Sequence, residues 1–430
     1  MSKIMSEKGE YKTGGWSAHY ILIVCSLLYM VNQMDRQVFS AVLQPMKIEL
    51  GLTDAQCGLA QTVFILGTAL FSFPIAYLID RWSRRKTLSL MALIWSAFTF
   101  VTGLGKNFIG VLIPRAVVGV GEAGFVPGGV AMISAVYSKK STAKAMGIFN
   151  VASAIGAALG VILGGIISQK FGWRMPFYFF AIPGVILAIL AFFMKDYKTQ
   201  VEPKDSGGTT SLVKSIGRLL KVRTLVWYYL GYAAYMFMFT SVLSWFPSFI
   251  MRVRNVDEAT AGTLWGSICL LAIVGAFLGG FLADFWQKKN PRGRILLATI
   301  AWLLSSIILI GILLTNFNSI GVGLAAAYAI VGTSAFPALY AISQDVVHVK
   351  DKGLSMGLAI FAQYLLGGAW GPYVIGSISD GLGGGASGLS SALMISTAGG
   401  FIAFLLLFIG SRFYRADVEK VSQEAIIAER

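Results

Sequence analysis

Four ionisable residues stand inside long apolar runs of this 430-residue chain: Asp35 and Arg36 near its start, and Arg115 and Glu122 further on. Charges in such surroundings are expensive, so they must face one another or a cavity, and they mark a site by default. A guanidinium there offers a planar fork that pairs bidentately with a carboxylate, sulfonate or phosphate. A carboxyl group in the same place is discouraged from ionising by desolvation and encouraged by a nearby arginine. An anion that occupied the arginine would remove that encouragement and favour proton uptake. Two arginines and two carboxyls thus contain the parts for coupling an anion to a proton without any cofactor. The plainer alternative is a buried ion-pair cluster that only fixes helix packing.

Spacing refines the site. Arg115 and Glu122 are seven residues apart and share a helix face, with Glu122 ~10 Å deeper at 1.5 Å per residue. Counted the same way, Asp35 lies ~24 Å beyond His19 and Arg115 ~10 Å beyond Phe108, which brings both to a similar height in a ~30 Å hydrocarbon layer. From the ladder of alternating charge Glu122 is expected to carry a transported proton, with Asp35 tuning or sharing it through Arg115. Tyr29 and Asn32 occupy neighbouring turns to Arg36 and join Arg36 and Arg115 as candidate substrate contacts. Later in the chain Tyr228, Tyr232 and Tyr235 fall on one helix face, as a cavity lining or a packing stripe; Tyr232 and Gln363 are the candidate contacts there. His19 and His348 are poorly placed as proton carriers, and neither a metal-ligand cluster nor a nucleophilic triad is visible.

The elements that must position these residues are transmembrane helices. Hydrophobic residues make up 56% of the chain and charged ones 13%, with a mean hydropathy of +0.72, which excludes an ordinary soluble enzyme. Apolar runs give twelve spans: 17–42, 58–79, 87–104, 108–136, 145–168 and 175–194, then 224–250, 261–285, 295–314, 320–343, 354–379 and 391–411. The expected organisation is an N-tail over 1–16, a six-helix bundle over 17–194, a linker over 195–223, a second six-helix bundle over 224–411 and a tail over 412–430. With the N-terminus cytoplasmic, the inner segments hold 27 Lys and Arg and the outer loops six, namely Lys47, Lys106, Lys170, Arg174, Arg252 and Arg254. By the positive-inside rule both termini are cytoplasmic. The net charge of +15 is therefore topological and does not imply nucleic acid. Cys25, Cys57 and Cys269 sit in or beside apolar segments and imply no disulfide framework.

A repeat about 204 residues apart links the halves. The run Ala76-Tyr-Leu-Ile-Asp80-Arg-Trp-Ser-Arg84-Arg85-Lys86 follows the second span, and Gly280-Phe-Leu-Ala-Asp284-Phe-Trp-Gln-Lys288-Lys289 follows the eighth. Here the chain resembles the major facilitator superfamily over nearly its whole length. Asp80, Arg81, Arg84 and Arg85 match that family's loop motif, with Ala76 and Ser83 in place of its glycines. The resemblance implies an all-α membrane protein of two six-helix bundles with alternating access, gated on the cytoplasmic side by Asp80, Arg84, Arg85 and Asp284. Asn32-Gln-Met-Asp35-Arg36 and Leu50-Gly-Leu-Thr-Asp-Ala-Gln56 look like the organic-anion (anion:cation) symporter branch. Arg115-Ala-Val-Val-Gly-Val-Gly121-Glu122-Ala fits that branch and is equally similar to Spinster-like lipid transporters. In both, residues matching Asp35 and Glu122 are associated with proton coupling.

Gly119-Val-Gly121-Glu122-Ala-Gly124 satisfies the dinucleotide pattern G-x-G-x-x-G, but lacks the preceding strand and carries a carboxylate where a pyrophosphate would lie. Close helix packing explains these glycines better, and Gly156, Gly160 and Gly164 at four-residue spacing form a second such face. The expectation is a monomeric, multi-pass, proton-coupled symporter of a small organic anion in a bacterial-type inner membrane. Its partners are the anion, protons and lipid, and it needs no cofactor or metal. The alternative is a Spinster-like lipid or lysolipid transporter. A membrane enzyme would need a cluster of His, Ser or carboxylates at interfacial depth, which the sequence does not show, and a channel would need a continuous pore rather than a central occluded site.

Overall fold

A computed structural model gives the fold and describes residues 14–196, 209–348 and 351–429. The outermost N-tail and the middle of the expected linker lie outside the described residues. The described chain is nearly all helix: α1 (Trp16–Leu50), α2 (Asp54–Arg81), α3 (Arg84–Gly103), α4 (Phe108–Glu122), α5 (Phe125–Val136), α6 (Lys139–Phe171), α7 (Met175–Phe192), α8 (Thr209–Leu219), α9 (Arg223–Arg254), α10 (Glu258–Lys289), α11 (Gly293–Leu314), α12 (Ser319–Asp345), α13 (Lys352–Phe361), α14 (Gly371–Gly381) and α15 (Gly385–Glu429). Twelve spans among the described residues are long and apolar enough to cross a membrane. In lipid every backbone N–H and C=O must be satisfied within the chain, and helices achieve this.

Two of the expected continuous spans are interrupted. The fourth, 108–136, breaks between α4 and α5. Pro127 has no N–H to return to the Ala123 carbonyl, so the helix ends at Glu122 and restarts at Phe125. The eleventh, 354–379, contains a π-helical stretch over Ala362–Gly368 between α13 and α14. There the Ala369 N–H reaches back five residues to the Tyr364 carbonyl at 2.8 Å, and the Trp370 indole donates to the Leu365 carbonyl at 2.9 Å. Thr240 donates to the Gly368 carbonyl at 2.7 Å.

The chain forms two compact units, Met1–Gln200 with Ser244–Leu270, and Val201–Leu243 with Leu271–Arg430. In the first, α1 packs on α6 and α7, and α4 packs on α2 and α3. The expected glycine faces make these approaches possible. A Cβ on Gly156 would sit 2.2 Å from the Met30 carbonyl oxygen, one on Gly160 2.5 Å from that of Met34, and one on Gly119 2.2 Å from that of Phe64. Backbones this close leave no room for a side chain.

The hairpin Ser244–Leu270 packs on α6 and is tied to the rest of the first unit by a buried carboxylate. Gly51, at φ 61, ends α1, and the Thr53 hydroxyl and Gln56 amide cap α2 reciprocally. This turn holds Asp54 beside Lys47, 2.5 Å away, while Arg252 grips both Asp54 oxygens at 2.6 and 2.8 Å and Gln44 at 2.8 Å. Lys47 and Arg252, expected as outer-loop cations, thus lie in helices, and Asp54 is fully buried. At the tip Asp257 accepts from the Thr260 N–H at 2.7 Å, a bond that holds its carboxyl below the usual carboxylate range. In the second unit α11 packs on α12 and α15, and α14 on α15. The Asp417 side chain, near the end of α15, accepts from both the N–H and the hydroxyl of Thr224 at the start of α9.

Candidate functional site

The four deep charges converge in the first unit, with pairings that differ from a vertical ladder. Arg36 Nε donates to Glu122 Oε2 at 2.6 Å. Arg36 keeps 22% of its side chain exposed, whereas that of Glu122 has none. Asp35 Oδ2 accepts from the Thr99 hydroxyl at 2.5 Å. Arg115 is wholly buried and lies against the Phe39 and Phe64 rings, 4.7 and 4.3 Å from their centroids, with its Nη2 on Gln61 at 3.2 Å. Arg36 also approaches Phe64, at 5.6 Å. Arg115 is an electrostatic neighbour of both carboxyls but hydrogen-bonds to neither among the described contacts.

Helix spacing along α4 gives the height of Arg115 and Glu122, but the pairing depends on how α1, α2 and α4 are rotated. That rotation brings Arg36 to Glu122 and turns Arg115 toward two aromatic faces, where a guanidinium is held by its weak hydration and stacking. Thr99 and Gln61 were not among the residues expected at the site. Ser89, Ser96 and Thr99 lie at seven- and three-residue spacing along α3, a polar seam in an apolar helix that was available as a signal.

Asn32 is fully buried, and neither its amide oxygen nor its amide nitrogen has a hydrogen-bond partner among the described residues. Tyr29 stacks on Phe149 at 4.5 Å and meets Phe125 at 5.8 Å. In the second unit Tyr232 is buried among Tyr228, Trp302 and Phe336, and Tyr235 stacks flat on Trp302 at 4.5 Å. All three tyrosines of the α9 stripe are buried, so the stripe packs in this conformation. Gln363 is buried within the π-helical stretch.

At the loop motif, the side chain of Asp80 lies outside the described residues. Arg84 is buried at the start of α3. Arg85 donates to the Phe192 and Met194 carbonyls at the end of α7, where a cation also complements the helix dipole. Ser83 donates to Asp196. In the second copy Arg294 bridges Asp284 and Asp345, both at 2.7 Å, and Tyr414 donates to Asp345 at 2.6 Å.

The fold and these sites have counterparts in known proteins. The chain is 27% identical over 415 residues to a hexuronate transporter of Bacillus subtilis (strain 168), covering 93% of this chain and 95% of that one. It is 27% identical over 383 residues to Protein spinster of Drosophila melanogaster, covering 85% of this chain and 62% of that longer protein. The crystal structure of a bacterial homolog of the human lysosomal transporter Spinster, inward-facing and unoccupied, superposes with a TM-score of 0.82. It is 24% identical and covers 94% of this chain and 99% of that one, which establishes a shared fold. The Major Facilitator Superfamily profile matches residues 25–372, more than three-quarters of the sequence, and the chain belongs to that superfamily: it is a multi-pass membrane transporter and not an enzyme.

Proposed function

We propose that this transporter is a proton-coupled symporter of a small organic anion, working by alternating access, with sugar acids as the leading class of substrate. The observation that carries the reading is the Arg36–Glu122 pair: a partly exposed guanidinium holding a wholly buried carboxylate at 2.6 Å. An incoming carboxylate competes with Glu122 for Arg36. Once Arg36 turns to the substrate, a charged Glu122 is left in an apolar core without its donor, a state that proton uptake relieves. Anion and proton therefore load together, as symport requires. Asp35 shares the proton work, held by Thr99 and balanced by the fixed charge of Arg115.

In this reading Arg36 is the substrate anchor, and Arg115 sets the field around the carboxyls. Tyr29, Tyr232 and Gln363 come into contact with substrate in other conformations of the cycle. Asp80, Arg84, Arg85 and Asp284 hold the cytoplasmic gate, supported by the ties of Arg85 to α7 and of Arg294 to Asp284. The basic excess on the linker side supports cytoplasmic termini in an inner membrane, and the protein acts as a monomer. The similarity to a hexuronate transporter across nearly the full length of both chains supports the substrate class.

A lysolipid substrate is the second reading. It is favoured by the similarity to Spinster proteins and by an apolar groove of about 540 Å³ lined by Met30, Gly147, Ile148, Val151, Ala152 and Ile155, with Lys144 its one charged residue. Proteoliposomes decide between the two. With an inward acid gradient, wild-type protein is expected to concentrate labelled D-glucuronate, and Arg36→Lys to lose this, because the charge stays while the fork is gone. Accumulation that persists in Arg36→Lys overturns the anchor; transport of lysolipid but of no sugar acid overturns the substrate class.

A further inference from the structure

Beside Asp35 the first unit buries polar atoms that have no hydrogen-bond partner among the described residues. Asn32 leaves both its amide oxygen and its amide nitrogen without a partner, as do the Trp95 indole Nε1, the Ser96 hydroxyl and Asp35 Oδ1. The large majority of buried side-chain polar atoms are hydrogen-bonded, to protein or to ordered water. A buried amide with two donors and an acceptor oxygen makes such an omission conspicuous.

Packing brings these atoms to one level. The Thr99–Asp35 bond ties α3 to α1. One turn nearer the start of each helix stand Asn32 on α1 and Trp95 and Ser96 on α3. Helix α7 packs on both and runs past α3 in the opposite sense, Ser89 of α3 reaching Ala188. Higher up, α7 presents Gly184 to α3. A Cβ there would lie 2.1 Å from the Ser96 hydroxyl and 3.6 Å from the Trp95 indole nitrogen. Among the described residues, charge nearby comes from α1 and α4, as Asp35, Arg36, Arg115 and Glu122; α7 carries none, and α3 carries its charges only in its first turn.

We propose that Asn32, Trp95 and Ser96 hold ordered water against the free oxygen of Asp35, and that Asp35 exchanges its proton through this water. Each buried water makes about three hydrogen bonds, and this cluster supplies donors and acceptors from two helices. Asn32 is then a positioning residue for the proton step rather than a substrate contact. The inference rests on the symport reading for its role in transport, but not for the hydration itself.

Infrared spectroscopy tests the hydration without any substrate. The protonated carboxyl band of Asp35, identified by its loss in Asp35→Asn, shifts on transfer to D2O as the proton exchanges. Asn32→Leu keeps the size and removes the polarity, and is expected to slow this exchange by about tenfold or more. Ser96→Ala is expected to slow it too, and Asn32→Ser, which supplies a hydroxyl in place of the amide and leaves room for water, to keep it near wild type. Exchange as fast as wild type in Asn32→Leu and Ser96→Ala overturns the proposal.

In proteoliposomes Asn32→Leu is expected to lose acid-driven accumulation of labelled D-glucuronate while retaining its exchange against unlabelled D-glucuronate. Equal loss of both assigns Asn32 to substrate binding and overturns the relay. A wild-type protein that fails to accumulate under an acid gradient refutes the symport reading, and the infrared result still decides on Asn32.

Discussion

Replacing Glu122 by Gln should remove the pH dependence of substrate affinity. Glu122 is buried and bound by Arg36 at 2.6 Å. A hydrogen bond to a charged group contributes about 1.5–3 kcal/mol net, and stripping the partner from a buried pair costs about 3–5 kcal/mol. An anion that takes Arg36 from an ionised Glu122 bears that cost, whereas one that binds with Glu122 protonated does not. At 1.4 kcal/mol per tenfold, even 3 kcal/mol corresponds to about a hundredfold in affinity. One linked proton makes wild-type affinity fall about tenfold per pH unit on the alkaline side, since the sugar acid itself stays ionised throughout. Binding is therefore tightest at low pH and lost as pH rises. In Glu122→Gln, Arg36 faces a neutral amide at every pH, so affinity should lose the slope that this pair contributes and lie near the acid limit of the wild type. Isothermal titration with D-glucuronate from about pH 5 to about pH 9 measures both curves. A wild-type slope retained in Glu122→Gln refutes the linkage through this pair.

Two further outcomes concern stability. Asp54→Asn leaves Lys47 and the buried Arg252 facing an uncharged amide and should cost about 3–5 kcal/mol, whereas Arg174→Gln, which breaks the exposed pair with Glu49, should cost under about 1 kcal/mol; similar falls in thermal midpoint would show that burial does not set the difference. Gly160→Ala puts a methyl 2.5 Å from the Met34 carbonyl oxygen and should destabilise by about 1–3 kcal/mol, while Gly147→Ala enters open space and should be neutral or stabilising by up to about 1 kcal/mol; a denaturation series in detergent that ranked the two the other way would contradict the packing.

The helical membrane fold was legible because lipid imposes a simple rule: about twenty apolar residues for each crossing. The site charges were legible for the same reason, since Asp35, Arg36, Arg115 and Glu122 interrupt apolar helices where a charge is costly. The glycine pattern around Gly119 was also readable, because the packing role needs only helical spacing while a dinucleotide site needs a strand that is absent. The partners were not legible. Spacing along one helix fixes height, but the choice of Arg36 over Arg115 for Glu122 is set by the rotation of α1 against α4, which depends on contacts remote in sequence. The interruptions at Ala123 and at Ala362–Gly368 were missed for another reason: hydropathy averages over a window and does not register a lost backbone hydrogen bond. Arg252 resembled a loop cation until packing placed it on Asp54.

The membership of Ser244–Leu270 in the first compact unit bears on how far this molecule is modular. The repeated sequence invites division into two interchangeable halves at the linker. Such a cut assigns Arg252 to one fragment and Asp54, Lys47 and Gln44 to the other. The first fragment then lacks part of its compact unit and retains a buried aspartate that has lost Arg252, while the second carries its own unit together with a hairpin that belongs to the other. Co-expressed halves must therefore recover this ion pair when they associate, and a half swapped in from a relative must supply an arginine at the matching place. The sequence repeat divides the chain at the linker, but the boundary between the compact units runs through the middle of two helices, α9 and α10.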